Sequence, residues 1–266
     1  MIKFKEYVKP KTLEEAYQIL TEKNSRVIGG AAFLKLSNQE FDVAIDLIDT
    51  NLDFINDYPE KVEVGSMVTI SAFEEDPVLS TLYNGFLKNV AEKILSYQMR
   101  NIVTVGGTIF PKYGFSDLIT ALLVLNTNVE LYKNGKMPLE KFLETKIVKD
   151  ILSKIEIMKE NLKLAFEYVR NSEYDFSLLN VAVSNNEGKF KIAVGARPGI
   201  AQLAKNAAEF LSNNAITKEN IEKAAEIAAE ELKFSDDLRA TAEYRKKVCK
   251  ALVKRALEEV TKWRLV

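Results

Sequence analysis

Two glycine pairs punctuate the first half of this sequence, and each follows a run of β-branched residues: Val27-Ile28-Gly29-Gly30 and Val103-Thr104-Val105-Gly106-Gly107. A strand that runs into paired glycines has to turn sharply there. Glycine alone enters positive φ without steric penalty and lets another backbone or a ligand approach closely. Neither pair belongs to a G-x-G-x-x-G fingerprint or a G-x-x-x-x-G-K-[ST] loop, so neither a plain dinucleotide-binding βαβ unit nor a P-loop is supported. Two readings stay open. Each pair is a tight turn and nothing more, or the successive N–H groups form two anion-binding nests that cradle a pyrophosphate between two subdomains.

The segments around the pairs alternate between strand and helix periods. Strands at 4–7, 26–28 and 43–47 surround a helix in which Leu13, Ala16, Tyr17 and Leu20 repeat behind a capping box, Thr12-Leu13-Glu14-Glu15. That is a small α/β unit of about 55 residues. Next come an alternating strand at Val62–Gly65, a second capping box at Ser71 and Glu74, and a helix carrying Phe86, Val90 and Ile94. Asn101 to Val105 reads as a strand closing on the second glycine pair. Leu118 to Leu125 is a buried helix that Ser116 or Asp117 caps, and a strand at 129–132 leads to the turn Asn134-Gly135. Beyond a soft polar break at Lys159-Glu160-Asn161, alternation at 164–169, 177–184 and 189–196 predicts an antiparallel meander. Three helices are expected near 201–212, 217–232 and 239–262. The fold class is α+β, with domains at 1–160 (subdomains about 1–55 and 56–160) and 161–266.

Composition removes several chemistries. The chain has no histidine and one cysteine, Cys249. Serine–histidine and cysteine–histidine catalysis are therefore unavailable, and so are an iron–sulfur cluster or an ordinary zinc site held by this chain alone. No metal ligands and no catalytic residues are assigned. Redox chemistry here requires a bound organic cofactor. The net charge of −1 offers no field for a nucleic-acid backbone. No run approaches the ~20 apolar residues of a membrane span, the N-terminus lacks a signal-peptide core, and a lone cysteine fits a reducing cytoplasm.

The motifs resemble, in order along the chain, those of the FAD-binding (medium) subunits of molybdenum hydroxylases, the xanthine dehydrogenase / carbon monoxide dehydrogenase flavoprotein family. Ile28-Gly29-Gly30-Ala31-Ala32-Phe33-Leu34 is similar to that family's A-G-G-T-[DS]-L-L loop. Arg100-Asn101-Ile102-Val103-Thr104-Val105-Gly106-Gly107-Thr108 is similar to R-N-x-x-T-I-G-G-N. Between them, Val43–Leu47 and Val64–Thr69 stand where the family has V-I-D-I and I-G-A-x-V-T. Asp117 matches the aspartate opening the helix after the second loop, and Phe166 to Val183 resembles the strand pair that starts the C-terminal domain. Asp237-Leu238-Arg239-Ala240-Thr241-Ala242-Glu243-Tyr244-Arg245 is close to D-x-R-A-S-A-E-Y-R.

The resemblance implies a two-subdomain FAD-binding fold of the vanillyl-alcohol-oxidase/molybdenum-hydroxylase type, followed by a C-terminal antiparallel sheet with helices. It also implies FAD contacts at Ile28, Gly29, Gly30, Ala31, Ala32, Phe33, Leu34, Thr104, Gly106, Gly107, Thr108, Asp117 and Tyr168. Backbone amides of both loops would hold the pyrophosphate, and Asp117 the adenosine half. Tyr168 stands where many relatives carry a lysine near the flavin, and it either stacks on the ring or packs the strand. Electrons would arrive from a partner subunit's [2Fe–2S] clusters, fed by a molybdenum-cofactor subunit, and leave to NAD⁺ or another acceptor. Three loop positions depart from the pattern: Ala31 and Ala32 replace polar residues, and Thr108 replaces asparagine. Each lost side-chain hydrogen bond weakens binding by about 0.5–1.5 kcal/mol, or about 10- to 1,000-fold for all three together. A subunit of the same fold with weakened or lost FAD, and a free-standing flavoenzyme, are the competing readings. Arg239, Tyr244 and Arg245 read as domain packing, and Cys249 as a small core residue.

Overall fold

The structure, a computed structural model, describes residues 1–261; the last position of the helix expected at 239–262 lies outside the described residues. Twelve strands and ten α-helices are found among them. The residues divide into two compact units. One holds Met1–Asp76, Ser96–Pro111 and Thr127–Lys159, and the other holds 77–95, 112–126 and 160 onward. The segments 77–95 and 112–126 thus pack with the C-terminal third rather than with their sequence neighbours.

The first unit begins with β1 (Lys3–Val8), α1 (Leu13–Glu22), β2 (Ser25–Ile28) and β3 (Glu40–Asp46), a parallel sheet in the order β1-β3-β2. Thr12 caps α1 by accepting from the Glu15 amide at 3.1 Å, while the Glu15 carboxylate reaches back to the Lys11 amide. Ala16 and Leu20 of α1 are buried against Val43 and Ile45 of β3 and against Leu47, which is the apolar face that the helical spacing predicted. β4 (Ile55–Asp57), β5 (Lys61–Gly65), β6 (Thr127–Leu131), β7 (Gly135–Pro138) and β8 (Leu152–Met158) form an antiparallel sheet in the order β4-β5-β8-β6-β7. Short helices α2 (Ile70–Glu75), α4 (Tyr97–Arg100), α5 (Val105–Ile109) and α7 (Leu139–Glu144) complete the unit, and α3 (Phe86–Ala91) and α6 (Asp117–Leu123) belong to the other.

Two local expectations are corrected. α2 is capped by Thr69, whose hydroxyl accepts from the Ala72 amide at 3.1 Å, so Ser71 and Glu74 lie inside the helix and form no capping box. Residues 101–105 form no strand beyond a single bridge between Thr69 and Thr104. There the second glycine pair occupies the first turn of α5, with Thr104 as its N-cap. A β-branched run has the composition of a strand, but a threonine hydroxyl two residues before a glycine pair can equally cap a helix.

In the second unit, β9 (Lys163–Val169), β10 (Leu179–Asn186), β11 (Lys189–Gly195) and β12 (Gln202–Leu203) form an antiparallel sheet in the order β12-β11-β10-β9. Helices α8 (Lys205–Ser212), α9 (Lys218–Glu231) and α10 (Ala242–Thr261) cover one face. Val181, Val183, Ile192 and Val194 of the sheet pack there against Ala224, Ala228, Leu252, Val253 and Leu257, and Cys249 is wholly buried in this core. Arg245 is 1% exposed. Its guanidinium donates to the carbonyls of Leu178, Ser235 and Ala240 and pairs with Asp237 at 2.7 Å. Arg239 donates to Asp175 and to the Phe176 carbonyl. Arg245 thus ties loops to α10, and Arg239 ties the segment before α10 to the loop at 175–176, as expected of packing residues.

Candidate functional site

The two glycine loops meet in the first unit, and they meet as bare backbone. Ile28 ends β2 beside Asp46, and Gly29 follows at the carboxyl end of the parallel sheet. A methyl group added to Gly29 would lie 2.5 Å from Thr104 Oγ1, and one on Gly107 would lie 2.7 Å from the Gly29 carbonyl. Gly30 has φ +70, and a Cβ there would fall 1.7 Å from the Ile102 carbonyl oxygen. Gly106 is equally closed on its other side, where Ser66 approaches to 2.7 Å. Three of these four contacts are glycine against the opposite loop, so the pairs exist first to let the loops touch.

The loops differ in what they leave for a ligand. At the second loop the four consecutive amides from Val105 to Thr108 are taken. Val105 donates to the Val68 carbonyl at 2.8 Å, Gly106 to the Ser66 carbonyl at 2.8 Å, Gly107 to Thr104 Oγ1 at 3.0 Å and Thr108 to the Thr104 carbonyl at 3.1 Å. The Gly106 amide is thus held by the Ser66 carbonyl and the Gly107 amide by the N-cap hydroxyl of α5. Thr104 is 4% and Thr108 8% exposed, so both hydroxyls sit within the joint rather than on a surface. At the first loop, by contrast, the amides of Gly30, Ala31 and Ala32 donate to no protein acceptor among the described residues. Ala31 has φ +53, an unusual left-handed alanine directly after left-handed Gly30. Three free, consecutive N–H groups on a tight turn at a sheet's carboxyl end suit an anion such as a phosphate. Phe33 beyond them is 40% exposed, and Leu34 opens a short 3₁₀ turn to Leu36. Arg100, 9% exposed, pairs with buried Glu74 at 2.6 Å and fixes α4 to α2, which sets where the Asn101–Thr104 segment begins.

Asp117 and Tyr168 lie in the second unit. Ser116, not Asp117, caps α6, accepting from the Ile119 amide at 3.2 Å. The Asp117 carboxylate is 5% exposed and accepts from Ser177 at 2.8 Å, from Asn180 at 2.5 Å and from Arg170 at 2.5 Å. Burial pushes this carboxyl above its usual range, against the pull of Arg170, Ser177 and Asn180. Asn180 also accepts from Thr120 at 2.9 Å. Tyr168, 36% exposed, rests beneath the Arg170 guanidinium, whose carbon is 4.5 Å from the ring centroid. Arg170, Ser177 and Asn180 were not foreseen: nothing in their spacing marks them, because they converge only when β9 and β10 pair and α6 packs on them. No cluster of three or more potential metal ligands occurs among the described residues, and no helix there is long and apolar enough to cross a membrane.

Comparison with known proteins accounts for both halves of the chain. Residues 2–159 match the family model of the FAD-binding domain in molybdopterin dehydrogenase, and residues 164–260 match the carbon monoxide dehydrogenase flavoprotein C-terminal domain. The nicotine 6-hydroxylase medium subunit of Paenarthrobacter nicotinovorans is 26% identical over 276 residues, covering 95% of this chain and 96% of that one. The carbon monoxide dehydrogenase medium chain of Hydrogenophaga pseudoflava is 26% identical over 280 residues, covering 95% of each. Among solved structures, carbon monoxide dehydrogenase from Hydrogenophaga pseudoflava superposes with a TM-score of 0.90 at 23% identity, over 98% of this chain and 99% of that one. Quinoline 2-oxidoreductase from Pseudomonas putida 86 gives 0.87 at 22% identity, over 98% of each. With family models spanning both halves, this chain belongs to the FAD-binding medium subunits of the molybdenum hydroxylases, oxidoreductase components whose cofactor is FAD.

Proposed function

We propose that this chain positions FAD as the electron-transfer subunit of a molybdenum hydroxylase complex. The free amides of Gly30, Ala31 and Ala32 carry the reading, since they are the donors that the joint between the loops leaves unused. They hold the pyrophosphate, with Ile28, Gly29, Phe33 and Leu34 shaping the loop around it. Thr104, Gly106, Gly107 and Thr108 contribute by packing that loop rather than by donating amides. Asp117 faces the adenosine half with whatever acceptor capacity its three donors leave, and Tyr168 lies against the flavin ring. Residues 1–160, with subdomains parting near 55, act as the FAD-binding domain, and 161–266 form the C-terminal flavoprotein domain.

The bound flavin supplies the ability to take up electrons and release them one or two at a time. The protein's share is to bind, orient and exclude water, which fits a chain with no histidine and one buried cysteine. The source of electrons is a [2Fe–2S] partner subunit fed by a molybdenum-cofactor subunit, and NAD⁺ is the first acceptor to test. Relatives named as medium subunits or medium chains support a multi-subunit setting.

The experiment is to co-express the chain with its complex, purify it anaerobically, reduce it with dithionite and follow the visible flavin bands as acceptor is added. Recovery of the oxidised bands on adding NAD⁺ supports the full scheme. Recovery with a quinone or oxygen but not with NAD⁺ rejects NAD⁺ alone. A complex without iron–sulfur absorption rejects the partner assignment.

A further inference from the structure

Phe166 and Tyr168 point to one face of β9 while Ala165 and Val169 point to the helix-covered core on the other. On that outward face Phe166 is half-buried and Tyr168 exposed. Tyr168 keeps 36% of its surface, and among the described residues its hydroxyl makes no hydrogen bond to the protein. Just past the strand end, Arg170 folds back over that ring. Its side chain is 5% exposed and fully engaged by Asp117, Ser177 and the Lys93 carbonyl. Three stretches of chain thus lock the guanidinium in place: α6 through Asp117, the segment after α3 through Lys93, and the segment before β10 through Ser177.

A planar cation fixed against one face of an aromatic ring holds the plane of that ring. The ring's other side and its free hydroxyl are what remain for a ligand. We propose that Arg170 is a positioning residue for the flavin: it holds Tyr168 from behind, so that the exposed side of the ring is presented to the isoalloxazine system. This rests on the cofactor reading above, in which Tyr168 lies against the flavin. A lysine at 170 could keep the ion pair with Asp117 but not the planar stack, because its ammonium is a point charge on a flexible stem.

The test is a double-mutant cycle on FAD binding with Arg170→Lys, Tyr168→Leu and the double variant, using FAD itself as probe. Dissociation constants and the fluorescence yield of bound flavin are both read, since an aromatic ring stacked on flavin quenches it. Arg170→Lys is expected to weaken FAD about 3- to 30-fold and to raise the bound-flavin fluorescence. In the Tyr168→Leu background, Arg170→Lys should change neither quantity further, because the partner through which it acts is gone. A purely structural Arg170 would give the same loss in both backgrounds and leave the fluorescence unmoved, and that result overturns the proposal. If Arg170→Lys loses its circular dichroism spectrum, Tyr168→Leu alone decides: unchanged affinity and fluorescence there overturn it. Wild-type protein that takes up no FAD overturns the cofactor reading instead, which separates the two failures.

Discussion

Gly30 and Gly135 make a matched pair that isolates what the loop joint demands of the backbone. Both are left-handed, at φ +70 and +67, but a Cβ on Gly135 meets nothing within 4 Å, whereas one on Gly30 lies 1.7 Å from the Ile102 carbonyl oxygen. Gly135→Ala therefore incurs only the left-handed penalty of about 1–2 kcal/mol, less about 0.4–1 kcal/mol recovered by a stiffer unfolded chain. The net loss is about 1 kcal/mol. Gly30→Ala adds a displacement of the Ile102 backbone from 1.7 Å to an ordinary 3.4 Å contact, which at typical overpacking values costs about 1–3 kcal/mol more. Urea unfolding of both variants measures the difference as a shift in midpoint at constant slope. FAD titration of Gly30→Ala should show lost or strongly weakened binding, with Gly135→Ala unchanged. Equal stability of the two variants within about 0.5 kcal/mol, which is ordinary scatter for independent sites, would refute the claim that the loops touch as bare backbone.

Other consequences follow from the same contacts. Arg245→Met should destabilise by about 3–5 kcal/mol, since it removes a buried donor from three carbonyls and the charged partner from the Asp237 carboxylate; a urea midpoint within error of wild type would contradict this. Burial disfavours ionised Asp237, but Arg245 and the amides of Arg239 and Ala240 outweigh it and hold the carboxyl down at about 2, against 3.8 in the unfolded chain. A depressed folded value stabilises above the unfolded one, so about 2 kcal/mol present at neutral pH is lost as pH falls from 3.8 toward 2. Asp237→Asn should flatten the urea midpoint across that window. Burial pushes the Cys249 thiol up to about 12, so a thiol-specific reagent near pH 8 should label it only after unfolding. Ala31→Gly should leave stability unchanged or raise it by up to about 1 kcal/mol, because it removes a left-handed alanine; thermal unfolding checks the sign.

The parts of the fold carried by local periodicity were legible. α1, α8, α9 and α10 follow their apolar spacing and polar breaks, and β9 to β11 follow alternation and the Asn186-Glu187-Gly188 turn. The parts decided by distant partners were not. β8 inserts between β5 and β6, and no local pattern announces which strands it will join. Segments 77–95 and 112–126 pack with residues after 159, although the clearest polar break lies at 159–161. At the second glycine pair, composition pointed to a strand, and a single threonine hydroxyl made it a helix start. That hydrogen bond takes the Gly107 amide, while the Ser66 carbonyl takes that of Gly106. The turn at the first loop was legible in its glycines, but that its amides stay free emerges only once the partners of its neighbours are known. Arg170 carried no signal at all, since its role depends on Asp117, Ser177 and Lys93 converging from three separate stretches of chain.

The most direct test is to titrate the stripped, isolated chain with FAD and, in parallel, with riboflavin, following flavin fluorescence and the thermal midpoint. Saturable FAD binding that stabilises the protein is expected, with riboflavin markedly weaker because it lacks the pyrophosphate that the Gly30–Ala32 amides hold. Riboflavin binding as well as FAD would contradict the pyrophosphate cradle. Absence of any FAD binding would contradict the cofactor reading itself.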